Sequence, residues 1–399
     1  MFSVSGFAAA GFEEVEKEFR RNFEERRELG AALAVYFCGE KVVDLWGGQR
    51  DRTTGAPWLE DTLVPVFSTS KGLAALTLLL AHARGWLDFD ERVAAYWPEF
   101  AQNGKASITV RQLLAHEAGL PAIDEPLDPA RLADRGALAR TLARQKPAWR
   151  PGSRHGYHGL SLGWYQSALL ERVDPKGRSL GRFFEEEIAR PLGVEFYFGL
   201  PASVPAERIT VMELFRPLDV LRGAHRVPLG MVFALARPGS LTRRSLLNPR
   251  MRSPTEIASR RYLEVEFPSG GGIGTVRSIA KAYSEFCAAG RLLGIGSGTL
   301  TELGRPAVQP PAGARDAVLK IPTAYSLGFF RPCPWFPFPA KARVFGAPGA
   351  GGSIGFGDLD RDLAYAYGMN RMGVEVPDPR ELAIRRACDR AVASLSAKK

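Results

Sequence analysis

The stretch Leu73-Ala74-Ala75-Leu76-Thr77-Leu78-Leu79-Leu80-Ala81 is apolar on every face of the helix it predicts. Such a helix is stable in water only inside a large core. Directly before it stand Ser68-Thr69-Ser70-Lys71, themselves preceded by the apolar Val64-Pro65-Val66-Phe67. On a helix Ser68 lies in the first turn and Lys71 one turn on, sharing a face. The hydroxyl then meets the positive end of the helix dipole, and the amine is placed to take its proton. A water-poor serine with a lysine beside it is the equipment of an acyl-transfer enzyme.

The chain's 399 residues suffice for a large core divided into two lobes, and its 45% hydrophobic and 24% charged content is that of a globular enzyme. The net charge of +10 comes from arginines dispersed in pairs such as Arg20-Arg21, Arg243-Arg244, Arg260-Arg261 and Arg385-Arg386. Nucleic-acid binding calls for a concentrated basic face with interleaved aromatics, so no nucleic-acid partner is expected. The four cysteines, Cys38, Cys287, Cys333 and Cys388, lie far apart without a CxxC, as in a reduced protein. Met1 to Gly6 carries no basic signal-peptide region, and no apolar run reaches membrane-spanning length. The expectation is a cytoplasmic protein with no membrane partner.

Phe12, Val15, Phe19 and Phe23 predict an amphipathic first helix, and Ala31–Cys38 with Lys41–Trp46 predict a hairpin around Gly39-Glu40. The chain then reads as helical and loop-rich to about residue 215, with Thr109 capping a short helix. Residues 216–265 lack periodicity and read as an irregular insertion over the site. Beyond Pro268 come a glycine-rich turn, a helix over 276–289, strands over 324–330, 343–346, 353–357 and 363–369, and a helix over 379–395. These predict a discontinuous α/β lobe from 1–80 and 266–399, with a helical lobe inserted over 81–265.

Other serines compete with Ser68. Ser278-Ile279-Ala280-Lys281 and Ser396-Ala397-Lys398-Lys399 repeat the serine–lysine spacing, but a cap and a charged tail account for them. Gly159-Leu160-Ser161-Leu162-Gly163 fits a nucleophile elbow, yet a loop precedes it and His225 is the sole histidine downstream. His116-Glu117 lacks the second histidine of a zinc motif, and His155 and His158 read as supports of the Tyr157 turn, so no metal or cofactor is expected. The aromatic, proline-rich 329–339 run reads equally as a packed connection or an apolar wall for an acyl group.

Three ordered motifs carry a resemblance: Ser68 with Lys71, Tyr157-His158-Gly159 after Pro151-Gly152, and Gly346-Ala347-Pro348-Gly349-Ala350-Gly351-Gly352-Ser353. With Gly85-Trp86-Leu87-Asp88 and Leu113–Pro121 added, the chain from about residue 6 to 370 resembles the serine β-lactamase and penicillin-binding superfamily. It looks most like the class C-like esterases called family VIII carboxylesterases. The resemblance implies an α/β (α+β) fold, an antiparallel sheet flanked by helices with an inserted, mainly helical lobe. It also implies Ser68 as nucleophile, Lys71 and Tyr157 as proton-handling groups, and backbone N–H groups of Ser68 and Ala350, beside Gly349, as oxyanion donors. Which of Lys71 and Tyr157 takes the serine proton stays open.

Two departures bear on substrate. Gly159 stands where such β-lactamases carry asparagine, and Ala347 where they carry lysine or many esterases histidine. Both point away from β-lactams and toward short-acyl, neutral esters, with Arg343 and Arg371 as nearby cations that could replace the missing one. The alternatives are a β-lactamase or D-amino-acid peptidase, and a catalytically silent binding relative. Oligomeric state is not legible.

Overall fold

A computed structural model describes residues 3–215, 228–287 and 292–397. Strand β1 (Val4–Ala8) and helix α1 (Glu13–Glu25) lead into the hairpin of β2 (Gly30–Phe37) and β3 (Glu40–Gly48). Cys38 and Gly39 turn that hairpin with φ of 52° and 79°. In α1 the buried face is Val15, Phe19 and Phe23, the spacing read from the sequence, while its glutamates and arginines pair along the wet face.

Two-residue strands β4 (Val64–Pro65), β5 (Phe196–Tyr197) and β6 (Ile273–Gly274) form a small antiparallel sheet, ordered β4-β6-β5. Helix α2 (Ser70–Ala83) follows β4 and buries every residue from Ser70 to Ala81. Thr109 caps α3 (Val110–Leu114) in a reciprocal box with Gln112. Helix α4 (Ser161–Val173) follows the loop that carries Tyr157.

Between 228 and 265 the chain is helical where the sequence reading expected irregular structure. Helices α5 (Leu229–Ala236) and α6 (Leu241–Leu246) each end where proline, glycine or a short polar loop intervenes, too brief to display a period. The earlier part of that expected insertion, 216–227, lies outside the described residues.

Helix α7 (Val276–Cys287) precedes β7 (Tyr325–Ser326), β8 (Phe329–Phe330), β9 (Val344–Pro348), β10 (Ile354–Asp358), β11 (Leu363–Met369) and the last helix, α8 (Pro379–Ser396). The strand expected over 324–330 is instead a tight β7–β8 hairpin, because Leu327 and Gly328 turn the chain with φ of 53° and 88°. Residues 288 and 289 of the expected helix fall outside the described set.

The main sheet has eight strands in the order β1-β3-β2-β11-β10-β9-β8-β7, every pair antiparallel. The β2–β11 pairing joins the two ends of the chain at its centre. Helices α1 and α8 cover one face over Val35, Val43, Tyr365 and Tyr367, while α2 and α7 cover the other over Ala34, Ala364 and Ala366. All seven residues of β11 are buried, as a strand covered on both faces requires. No helix among the described residues is long and apolar enough to cross a membrane.

Candidate active site

Ser68 stands not in α2 itself but in the single 3-10 turn Phe67–Thr69 that enters it. Phe67, buried, is held at φ 48°, a left-handed conformation that costs a bulky residue energy and turns the next side chain sharply. The seryl hydroxyl stays partly accessible, whereas Lys71 is 1% exposed.

The Lys71 ammonium nitrogen donates to Ser68 Oγ at 3.2 Å and to the Ser269 carbonyl at 2.8 Å. It also lies 4.8 Å from the centre of the Tyr157 ring. Among the described residues no carboxylate offsets its burial, and desolvation drives its pKa well below the ordinary lysine value. Burial raises the pKa of the Tyr157 hydroxyl, against the opposing influence of the Ser68 side chain it faces. The Ser68 oxygen thus lies between an amine driven toward its neutral form and a phenol driven toward its protonated form.

Tyr157 owes its position to groups that no motif announces. Asp316, fully buried, accepts from the Tyr157 backbone N–H at 2.9 Å and from the N–H groups of Val318 and Leu319, each at 2.7 Å. It also accepts from the Tyr325 hydroxyl at 2.8 Å and the Thr323 hydroxyl at 3.3 Å. Tyr325 in turn stacks on Tyr157, their planes 17° apart. His116 packs its ring against both tyrosines, and its Nδ1 accepts from the His158 N–H at 2.9 Å. Burial first, then the neighbouring His158 and Lys71, push His116 well below the usual imidazole pKa.

The other two histidines brace the same turn. His158 bonds the Gly156 carbonyl through Nδ1, accepts from the Leu120 N–H through Nε2, and has its pKa lowered to about 3 by burial. His155 Nε2 contacts the Ala314 carbonyl and the Thr323 hydroxyl.

The third motif closes the opposite side. Ser353 Oγ donates to the Val66 carbonyl at 2.9 Å and lies 3.1 Å from Thr69 Oγ1, tying the start of β10 to the Ser68 turn. Gly349 comes so close that a β-carbon there would stand 2.5 Å from the Val66 carbonyl oxygen, a contact only glycine permits. Ala350, the next residue, is exposed at the mouth of this junction.

The two departures in the motifs differ in their surroundings. A β-carbon at Gly159 would meet the end of the Leu246 side chain of α6 at 2.6 Å, so a larger residue there requires Leu246 to move aside. Ala347 is 1% exposed against Gly72 of α2, the point that the Tyr283 hydroxyl also fills. Neither arginine considered as a replacement cation is available for that role. Arg343 pairs with Asp360 and lies before β9, at the far end from Gly349, while Arg371 is 7% exposed and donates to the Arg27 carbonyl.

The rival serines are engaged elsewhere. Ser161 donates to the Leu120 carbonyl at 2.7 Å inside the core, and His225, the histidine its elbow would need, lies outside the described residues. Ser278 accepts from the Glu195 N–H and contacts Thr275, as a structural cap does. The 331–339 run is a packed connection: Phe336 is fully buried on Gly346, Phe338 and Phe356. Sequence reasoning did not find Asp316, Tyr325 or the Ser269 carbonyl. A solitary loop carboxylate carries no spacing signal, and a backbone acceptor carries no residue signal at all.

The Beta-lactamase family pattern matches residues 15–388. The chain is 33% identical over 374 residues to the "Esterase/beta-lactamase LipL" of Mycobacterium tuberculosis, covering 92% of this chain and 83% of that protein. It superposes on a crystal structure of a family VIII carboxylesterase with a TM-score of 0.86 at 32% identity, covering 98% of this chain and 100% of that one. A penicillin-binding protein homologue from Caulobacter crescentus gives 0.81 at 32% identity over the same 98% of this chain and 100% of its own. The antiparallel sheet with its flanking helices, the serine turn and these matches lead to one assignment: the chain belongs to the β-lactamase family, within the β-lactamase and penicillin-binding superfamily of serine hydrolases.

Proposed function

We propose that the protein is a carboxylesterase that cleaves small, neutral, short-acyl esters through an acyl-enzyme on Ser68. The observation that carries this is the Ser68 oxygen set between the buried Lys71 amine, with no carboxylate partner among the described residues, and the Tyr157 side chain. Neutral Lys71 takes the Ser68 proton as Oγ attacks the ester carbonyl. The N–H groups of Ser68 and Ala350, beside Gly349, bind the oxyanion, each worth about 3 kcal/mol in the transition state. Collapse breaks the ester C–O bond, and Tyr157, recharged through Lys71, gives the leaving alkoxide its proton. A water then enters, loses its proton to the same pair, and releases the acid and free Ser68.

Lys71 is the preferred base because burial favours its neutral form and the protonated form of Tyr157. Asp316 acts as a positioning residue through the Tyr157 backbone. The absence of a side chain at Gly159 and of a cation at the enclosed Ala347 supports esters over β-lactams, as does likeness to a family VIII carboxylesterase. We place the enzyme in the cytoplasm, since no disulfide joins its four cysteines.

The test is intact-mass analysis after brief mixing with a p-nitrophenyl ester and, separately, a β-lactam, alongside steady-state turnover of both. The expected result is an acyl adduct from the ester, absent in Ser68→Ala, with ester turnover far exceeding β-lactam turnover. Faster nitrocefin hydrolysis, or ester turnover surviving Ser68→Ala, overturns the proposal.

A further inference from the structure

We infer that residues 228–252 form a docking surface for anionic lipid bilayers, carried beside the Tyr157 loop. The segment contains five arginines, at 237, 243, 244, 250 and 252, and no aspartate or glutamate. Helix α5 at its start buries none of its residues. Leu229, Val232 and Phe233, spaced to share one helical face, are 63%, 43% and 72% exposed. Single exposed apolar side chains are ordinary, but a helix that turns a whole apolar face outward marks a contact surface.

The opposite side of α5 is anchored. Met231 packs on the core that lies under α1 and α8, and Gly230 sits over Lys320 and beside Arg315. Two further cations therefore lie beneath the helix. Arg244 is paired with Asp124, and Arg250 and Arg252 line a pocket shared with Asp124, Asp128 and Glu256, whereas among the described residues no carboxylate is paired with Arg237, Arg243 or Arg315. An apolar helical face with the guanidinium of Arg243 on the Leu235 carbonyl and Arg237 directly after its last turn matches a helix lying in the headgroup layer, its cations on lipid phosphates. A second copy of this chain would bring the same positive charge to a two-fold contact, so self-association does not suit the patch. Such peripheral docking needs no spanning helix.

The surface is continuous with the site. From α6, Thr242 donates to the Val318 carbonyl at 2.7 Å and Ser245 to the Tyr157 carbonyl at 3.2 Å, while Leu246 abuts Gly159. Docking therefore turns the Tyr157 side of the molecule toward lipid. That this delivers bilayer-dissolved esters to Ser68 rests on the esterase reading; the docking itself does not.

The test is flotation of the full chain with phosphatidylglycerol-rich vesicles and with pure phosphatidylcholine vesicles, at low and high salt. The expected result is salt-sensitive binding to the anionic vesicles alone. Arg237→Glu with Arg243→Glu should weaken it roughly 25-fold or more, at about fivefold per arginine lost. Leu229→Ser with Phe233→Ser should weaken it comparably, and turnover of a soluble ester should be unchanged in both variants. Ser68→Ala should bind as well as the native chain, which separates this inference from the esterase reading. Equal binding to neutral vesicles, no binding to anionic ones, or a solution dimer that Leu229→Ser with Phe233→Ser dissolves would each overturn it.

Discussion

Among the described residues two lysines, Lys71 and Lys105, are buried without a carboxylate partner, and they are held in opposite ways. Lys105, 0% exposed, donates to three backbone carbonyls, those of Gln102 at 2.9 Å and of Ala143 and Gln145 at 2.8 Å. Lys71 has one carbonyl, Ser269, and its other contact is the Ser68 hydroxyl. Each also lies against an aromatic ring, Phe100 at 5.3 Å and Tyr157 at 4.8 Å. Burial lowers Lys105 to about 8 and Lys71 far below the ordinary lysine value. Three acceptors hold a protonated amine as a cross-link between loops. One acceptor and a hydroxyl leave a nitrogen lone pair with something to do.

Ser68→Ala is the severest test of that contrast: kcat/KM for a p-nitrophenyl ester should fall by about a millionfold, leaving the fold intact by circular dichroism. Lys71→Met and Lys105→Met then separate the two lysines. The first should cost about 10³–10⁴-fold in kcat and raise thermal stability by about 1 kcal/mol, since it removes a buried amine whose charge is disfavoured. The second should leave turnover of the folded enzyme within a few fold but destabilise it by about 3 kcal/mol, because three buried carbonyls lose their donor. If both variants behave alike, the distinction fails.

Asp316→Asn comes next in size. It replaces an acceptor of five hydrogen bonds with a group that is half donor, and should lower kcat about 10–100-fold through misplacement of Tyr157, with KM little changed. A merely structural role would instead shift Tm and leave the pH profile untouched.

The pH dependence differs for the two lysines. Activity should be lost as pH falls through the depressed pKa of Lys71, because protonation removes the base. For Lys105, folded near 8 and unfolded at 10.5, the unfolded chain holds the extra proton between those values, so stability rises with pH across that window. That slope, read from urea midpoints, should vanish in Lys105→Met. Ser161→Ala is the smallest expected effect, less than threefold on turnover, since its hydroxyl only bonds the Leu120 carbonyl.

The parts of this fold that were legible in the sequence are those whose burial imposes a period. The α1 stripe, the β2–β3 hairpin and the whole of β11 appear where apolar spacing puts them, because each packs at full length. The strands β4, β5 and β6 contain two residues each and show no pattern. The β7–β8 hairpin hides in one apolar run because its turn uses Leu327, not a polar residue. At the site, the serine, lysine and tyrosine could be named from motifs, and the structure brings the three together. What supports them could not, since Asp316 works from a loop and Ser269 through its backbone.

The tie between Ser353 and the Val66–Thr69 turn spans 284 to 287 residues of chain. On a ribosome adding about 5–20 residues per second, Ser68 leaves the exit tunnel roughly 15–60 s before the segment that completes its surroundings. Throughout synthesis the hydroxyl is present without its glycine-rich clamp, and β2 waits as an open edge for β11. The nucleophile's turn is thus made long before the segment that pins it, and the β2 edge long before the strand that covers it.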